Sequence, residues 1–154
     1  MFKDMRLKKR KISDSESYEI LKEGKYGVLS TVNTDGYAYG IPISYVSLDN
    51  NIYFHCALEG SKLENIKNNN KVSFCVVGET EIVPEKFTTK YESVVAFGKA
   101  IEVHDEEKER ALLALLEKYS KEYMDKGRIY VNNAKSKTKV IKIIIENISG
   151  KANK

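Results

Sequence analysis

Proline is nearly absent from this chain, two in 154 residues, glycine is limited to nine, and there is no tryptophan. Such a composition excludes collagen-like and low-complexity chains. With 42% apolar residues it suits a chain that buries a single core. Cysteine and histidine are equally scarce: Cys56 and Cys75, His55 and His104. Both cysteines lie in apolar alternating stretches without CxxC spacing, so they read as buried free thiols of a reduced compartment, with a disulfide as the minority reading. Two distant histidines with no matching carboxylate or thiol spacing give no metal site. The longest aliphatic run, Ala111 to Leu116, is far short of the roughly 20 residues that a bilayer demands, and the charged N-terminus is followed by no apolar segment. The expectation is a soluble, cytoplasmic protein without a membrane partner. Neither GxGxxG nor GxxxxGK[ST] occurs, which leaves a Rossmann or P-loop nucleotide site unsupported.

What is present is charge, 31% of the residues, with a net of +4. Six of the 26 basic residues and one of the 22 acidic ones fall within residues 1–11, so that segment carries +5 and the remainder −1. The basic excess is a solvated arm at residues 1–11, not a groove, and a nucleic-acid partner is unlikely on this distribution. Residues 12–154 read as one domain.

Along that domain, Ser13-Asp14-Ser15-Glu16 fits a capping box and opens a short helix through Tyr18, Ile20 and Leu21, with Gly24 as its stop. Gly27–Asn33 is rich in β-formers, Asp35-Gly36 signals a hairpin, and Tyr37–Leu48 alternates as one long strand. A turn at Asp49-Asn50-Asn51 leads to strand Ile52–Cys56, a short helix over Gly60–Lys67 and strand Lys71–Gly78. Pro84 and Glu85–Lys90 read as a loop. Tyr91–Val103 is a strand with Gly98 as a bulge or bend. Leu112, Leu115, Leu116, Tyr119 and Tyr123 recur at helical spacing on one strong helix that starts at Asp105-Glu106-Glu107. Lys137–Ile148 is a final strand, apolar on both faces and so covered on both sides. About six strands with hairpin linkage, two short helices and one long one predict an antiparallel barrel with helices packed outside it.

The stretch Tyr53-Phe54-His55-Cys56-Ala57-Leu58-Glu59-Gly60-Ser61-Lys62-Leu63 is a strand, a glycine loop and a helix start. Free amides near Ser61–Leu63 and the Lys62 ammonium would form an anion cradle, while a plain Ser61/Glu64 capping box is the competing reading. His55 and Cys56 are neighbours on a strand and face opposite ways, so they do not form a nucleophile and base pair. His104 starts the acidic helix and is expected to be exposed. Tyr37, Tyr39 and Tyr45 form a stripe that would wall a flat aromatic ligand, although strand tyrosines are commonly structural.

The succession GVLSTVNTDGYAYGIPISYV, NIYFHCALEGSKLENIKNNNKVSFCVV and YESVVAFGKAIEV followed by the Leu-rich helix resembles the pyridoxamine 5′-phosphate oxidase-like split β-barrel flavoproteins, in particular their Nim-type, nitroimidazole-reductase-like branch. The resemblance runs from about Arg6 to Lys151. It implies a mainly antiparallel β fold with helices, a split β-barrel that binds FMN as a homodimer. By that likeness Ile41, Pro42, Ile43 and Ser44 lie along the isoalloxazine edge, His55, Cys56 and Ala57 pass beside the ring and ribityl chain, and Ser61 and Lys62 hold the phosphate. Ser93 stands where oxidase members have a flavin-contacting glutamine. The arginine-rich signatures of strict oxidases are missing near Tyr39–Ser44 and at Ser149-Gly150-Lys151, which argues against oxidase activity itself. The expected function is an FMN-dependent reductase of a small electron-poor aromatic such as a nitroimidazole, with His55 as catalytic proton donor. The alternatives are an enzyme of the same barrel with a different small oxidant or a deazaflavin cofactor, and a non-catalytic flavin- or haem-binding protein.

Overall fold

The computed structural model describes residues 2–154. A 3-10 turn at Lys8–Arg10 leads into strand β1 (Lys11–Ile12) and helix α1 (Asp14–Glu23). Strands β2 (Gly27–Val32), β3 (Ala38–Ile43), β4 (Val46–Leu48) and β5 (Asn51–Cys56) follow, then helix α2 (Ser61–Asn68) and the long hairpin of β6 (Lys71–Val83) and β7 (Thr88–Val103). Helices α3 (Asp105–Ser120) and α4 (Met124–Ala134) precede the last strand, β8 (Lys139–Asn153).

Every strand pairing is antiparallel, in the order β3-β2-β6-β7-β8-β5-β4, with β1 attached to β8. Strands β3 and β4 are consecutive in the chain yet stand at opposite ends of this order. Only Ser44 and Tyr45 join them, so the two sheet edges come within about 11 Å of each other there, the reach of three extended residues. They do not hydrogen-bond to one another, and the sheet is open at that seam. The seam corrects the single strand expected over Tyr37–Leu48. Alternation continues in the letters, but Tyr45 is pulled inward and the chain changes edge.

Tyr45 is fully buried, its hydroxyl donates to the Leu21 carbonyl, and its ring meets Phe74 edge-on at 4.8 Å. Its N–H donates to the Tyr119 hydroxyl at 3.1 Å, and its carbonyl accepts from Lys118 Nζ at 2.9 Å. The Tyr119 hydroxyl in turn donates to the Lys25 carbonyl at 2.6 Å. The two residues at the end of α3 thus tie the seam to the loop after α1.

One apolar core fills the curl of the sheet, with Leu29, Ile52, Phe54, Phe74, Ile141 and Ile143 closed over by Ile20 and Leu21 of α1. A second core lies on the outer face, where Tyr53, Val103 and Val140 pack against Leu112 and Leu115 of α3 and Val131 of α4. These cores cover the two faces of β8 near Val140 and Ile141, as its two-sided apolar pattern required. At the start of α3, Glu107 accepts from the Tyr53 hydroxyl at 2.9 Å and pairs with Lys142 at 3.1 Å.

Three further expectations are corrected. The loop expected over residues 84–90 is confined to 84–87: β6 runs on to Val83, a 3-10 turn at Pro84–Lys86 and a left-handed Phe87 (φ 52°) reverse the chain, and β7 begins at Thr88. The exposed Glu79–Ile82 segment gains its strand character only by pairing with Thr89–Tyr91. The single long helix is two, broken by a 3-10 turn at Lys121–Tyr123. Helix α4 carries a glycine and two asparagines, weak helix formers, and is held by tertiary contact: a Cβ at Gly127 would run into Leu116 of α3. The basic segment is not simply solvated either, since Phe2 stacks on Phe97 at 5.3 Å and Lys11 and Ile12 pair with Lys151 and Gly150. Other expectations hold. Ser13 accepts from the Glu16 N–H at 3.1 Å, and a register shift falls between Phe97 and Gly98.

Because Tyr45 places its hydroxyl on a buried carbonyl, Tyr45→Phe leaves that acceptor unpaired and should cost about 1–3 kcal/mol. Urea unfolding that shows a lower midpoint at unchanged slope is the expected result.

Candidate functional site

Strand β5 presents two different surfaces. Ile52, Phe54 and Cys56 point into the first core, whereas Tyr53 and His55 face the α3–α4 side. The alternation separates His55 from Cys56 as expected: the imidazole is exposed while the thiol is 8% exposed within the core. Both cysteines are free, and burial pushes both thiols up in pKa. Cys75 is half-buried, which corrects the expectation that both are buried.

His55 and Ser44 together form one end of a cavity of about 340 Å³ between the sheet and the α3–α4 hairpin. The rest of its wall is largely apolar, including Leu112, Leu116 and Val131. Partial burial lowers the His55 pKa below its usual value, and the Lys62 ammonium lowers it further. Both effects favour the neutral imidazole more than its residue type alone would.

After β5 the chain passes through exposed Ala57 to Gly60, which holds φ 147°, a conformation reserved in practice for glycine. Gly60, not Ser61, occupies the cap position of α2, and no side chain caps the helix. This corrects the capping-box reading of Ser61 and Glu64. The first intrahelical bond is Glu64 N–H to the Gly60 carbonyl, so the N–H groups of Ser61, Lys62 and Leu63 have no partner within the helix. Lys62 is half-buried beside them and acts electrostatically on both His55 and Cys56.

Strand β3 is hydrogen-bonded only to β2, with Ile41 opposite Leu29, Pro42 opposite Val28 and Ile43 opposite Gly27. Its other edge is open, which accommodates Pro42 without loss of a ladder bond and leaves backbone groups free. Ile41 and Ile43 pack on the core, while Pro42 and Ser44 are exposed.

Ser44, His55, Ala57, Ser61 and Lys62 thus gather around the seam and the start of α2, next to the β3 edge. Ser93 does not join them within one chain. It lies on β7 opposite Val77 and Lys151, and β2 and β6 intervene before β3, roughly 14 Å at ordinary strand spacing. The tyrosine stripe is not a wall: Tyr37 is 74% exposed, Tyr39 half-buried and Tyr45 interior. His104 is exposed, 3.8 Å from Glu102.

Sequence reasoning missed the contribution of the helices. Tyr119, Ser120, Tyr130 and Ala134 line the cavity, and burial pushes the Lys118 ammonium down to about 8. The helical spacing that marked Tyr119 as packing was a true signal, but it did not say what the helix packs around. Among the described residues no group of His, Cys, Asp and Glu is placed to hold a metal ion, and no helix is long and apolar enough to cross a membrane.

Residues 13–152 match the sequence pattern of a family described as pyridoxamine 5′-phosphate oxidase. The chain belongs to the pyridoxamine 5′-phosphate oxidase family. No curated protein matches this family member. Its fold recurs in solved structures, among them a candidate 5-nitroimidazole antibiotic resistance protein from Bacteroides thetaiotaomicron, 22% identical over 92% of this chain and 85% of that one, with a TM-score of 0.74. A conserved hypothetical protein from Mycobacterium tuberculosis is 19% identical over 97% and 90% of the two chains, TM-score 0.83. An FAD- and haem-binding protein from Mycobacterium smegmatis is 17% identical over 92% and 72%, TM-score 0.80. At these identities the likeness shows the pyridoxamine 5′-phosphate oxidase fold.

An NMR pH titration should place the His55 midpoint below 6.5, and Lys62→Ala should move it upward by removing a like charge, while leaving the larger effect of burial in place.

Proposed function

We propose that this chain is an FMN-dependent, homodimeric oxidoreductase of the Nim-like type, which reduces a small electron-poor aromatic such as a nitroimidazole. The observation that carries the reading is the placement of Ser44 and His55 on one largely apolar cavity, with the Lys62 helix start near enough to His55 to act on it electrostatically, in a chain of this family.

The residues fit the cofactor. Uncapped amides of Ser61, Lys62 and Leu63 and the Lys62 ammonium suit a phosphate, the open edge of β3 at Ile41, Pro42 and Ile43 suits the polar rim of an isoalloxazine, and Ser44 and His55 stand beside that edge. Cys56 serves through its backbone, because its side chain is committed to the core. Bound FMN supplies the electron and hydride transfer. The protein orients the ring, keeps water from it and delivers a proton from the His55 imidazolium, whose population grows toward acid pH.

The homodimer is supported by the outer sheet face, where Phe97, Ile101 and Ile144 are each about 40% exposed and Phe2 lies on Phe97. An isologous contact over such a face, burying more than about 2,000 Å² in all, is what a permanent dimer requires. A second copy is also the means by which Ser93 meets a flavin site. A second reading, a haem- or flavin-binding protein without turnover, is favoured by an imidazole beside a largely apolar cavity, where His55 would be available to ligate a haem iron. Flavin bands against a Soret band in the absorption spectrum decide between them.

FMN titration into Lys62→Ala should give a Kd at least about tenfold weaker, the loss of a charge-assisted contact worth roughly 1.5–3 kcal/mol. Light scattering of the FMN-loaded chain at micromolar concentration should give the dimer mass.

Anaerobically reduced FMN protein should be reoxidised by a nitroaromatic, slowly in His55→Ala and normally in His104→Ala. The His55 pKa is lowered, so its protonated form grows only as pH falls below 6.5. The wild-type reoxidation rate should therefore rise toward acid pH, and His55→Ala should lose that arm of the profile. A nitroaromatic that never reoxidises the flavin overturns the substrate class.

A further inference from the structure

Between the sheet and the α3–α4 hairpin lies a half-open cleft of about 340 Å³, a concave and largely apolar surface of the kind that takes a small ligand. Its polarity is graded. Ser44, His55 and Thr138 supply polar groups from the strand side, while Leu112, Leu116 and Val131 make an apolar wall from the helices, with Tyr119 and Tyr130 adding aromatic rings. No carboxylate lines it, and the only formal cation in its lining is Lys135. A cation placed there would find no counter-charge, whereas a neutral ring bearing an acceptor group would find both an apolar wall and hydroxyl or imidazole donors.

The width of the space is set by the approach of α4 to α3. Gly127 is buried against Leu116, a residue of the cavity wall, and any Cβ at Gly127 would displace that side chain. The helix that sequence reading missed is thus the outer wall of the cavity, seated by one glycine.

We infer that the α3–α4 cavity is the binding pocket for the reducible substrate, a small neutral aromatic compound whose polar acceptor group points at Ser44 and His55, with the Gly127–Leu116 contact setting the width of the pocket. The inference rests on the proposed reductase reading and assigns its substrate site to residues of α3 and α4.

Nitrobenzene is the probe, titrated by NMR into both the flavin-free and the FMN-loaded chain, with protonated benzylamine as the cationic comparison. Nitrobenzene should shift the ring signals of His55, Tyr119 and Tyr130 with a single saturable midpoint, and benzylamine should bind at least tenfold more weakly. Ala134→Leu, which fills the cavity from α4, should weaken nitrobenzene at least tenfold with the FMN Kd and thermal midpoint retained. Leu116→Ala enlarges the space and should bind 1-nitronaphthalene more tightly than wild type does. These two variants act in opposite directions, so a general loss of folding cannot imitate the pair of results. Nitrobenzene that moves none of the three residues, or binds Ala134→Leu as well as wild type, overturns the pocket. Site-specific probe binding in a chain that takes up no flavin upholds the pocket and removes the reductase reading. Flavin reoxidation by a nitroaromatic that is indifferent to Ala134→Leu removes the pocket and leaves the reductase.

Discussion

The handover at Ser44–Tyr45 is the constraint on which the rest of the molecule depends. Two residues must carry the chain from one end of the sheet to the other, and they do so because Tyr45 is held on three sides: its hydroxyl on Leu21, its N–H on Tyr119 and its carbonyl on Lys118. The first contact belongs to α1, the others to the end of α3. Helices that are remote in sequence are thereby fixed to one point of the seam, and the seam fixes where Ser44 and the open edge of β3 lie. The cost of closing such long loops is offset by burying the large Tyr45 and Phe74 rings together in the core.

The electrostatics of the site follow from the same arrangement. The α3–α4 hairpin covers one face of β5 well enough to remove His55 partly from water, and Lys62 approaches from the start of α2. Both effects favour the neutral imidazole. A cation confined to the uncapped end of α2 and a neutral, hydrogen-bonding group at the cavity divide the site into an anion-binding part and an apolar part. This is the division that a ligand with a charged tail and a flat ring would need.

Much of this was legible in the sequence. The Ser13 capping box, the Asp35-Gly36 hairpin, the Gly98 bulge and the glycine loop before Ser61 each rest on local chemistry that a few neighbouring residues decide. The His55 and Cys56 alternation was equally plain, since a strand leaves no other choice. The break inside Tyr37–Leu48 was not legible, because the partners that pull Tyr45 inward lie at Leu21, Lys118 and Tyr119. Helix α4 was hidden for a similar reason: Gly127, Asn132 and Asn133 speak against a helix, and the contact with Leu116 that compensates is tertiary. The second half of the β6–β7 hairpin reads as polar loop because both its faces meet water and only the ladder makes it a strand. The cavity wall was legible only in part, in Ser44, His55 and the Leu112–Tyr119 helix face, because the side supplied by α4 depends on that tertiary contact.

The placement of β8 between β7 and β5 carries a consequence for how the molecule is made. His55 pairs with Val140, 85 positions later in the chain, and among the described residues β1 pairs only with β8. Until residues 139–153 leave the ribosome, β5 has only the short β4 beside it, β7 has an open flank along most of its length, and the apolar inner faces of both strands lack their cover. Folding is therefore a late, nonlocal event, in the slow range for chains of such topology. The nascent chain exposes the β5 edge, and once β7 is made the β7 edge as well, until β8 emerges, and these are the surfaces a holding chaperone would have to shield against edge-to-edge aggregation.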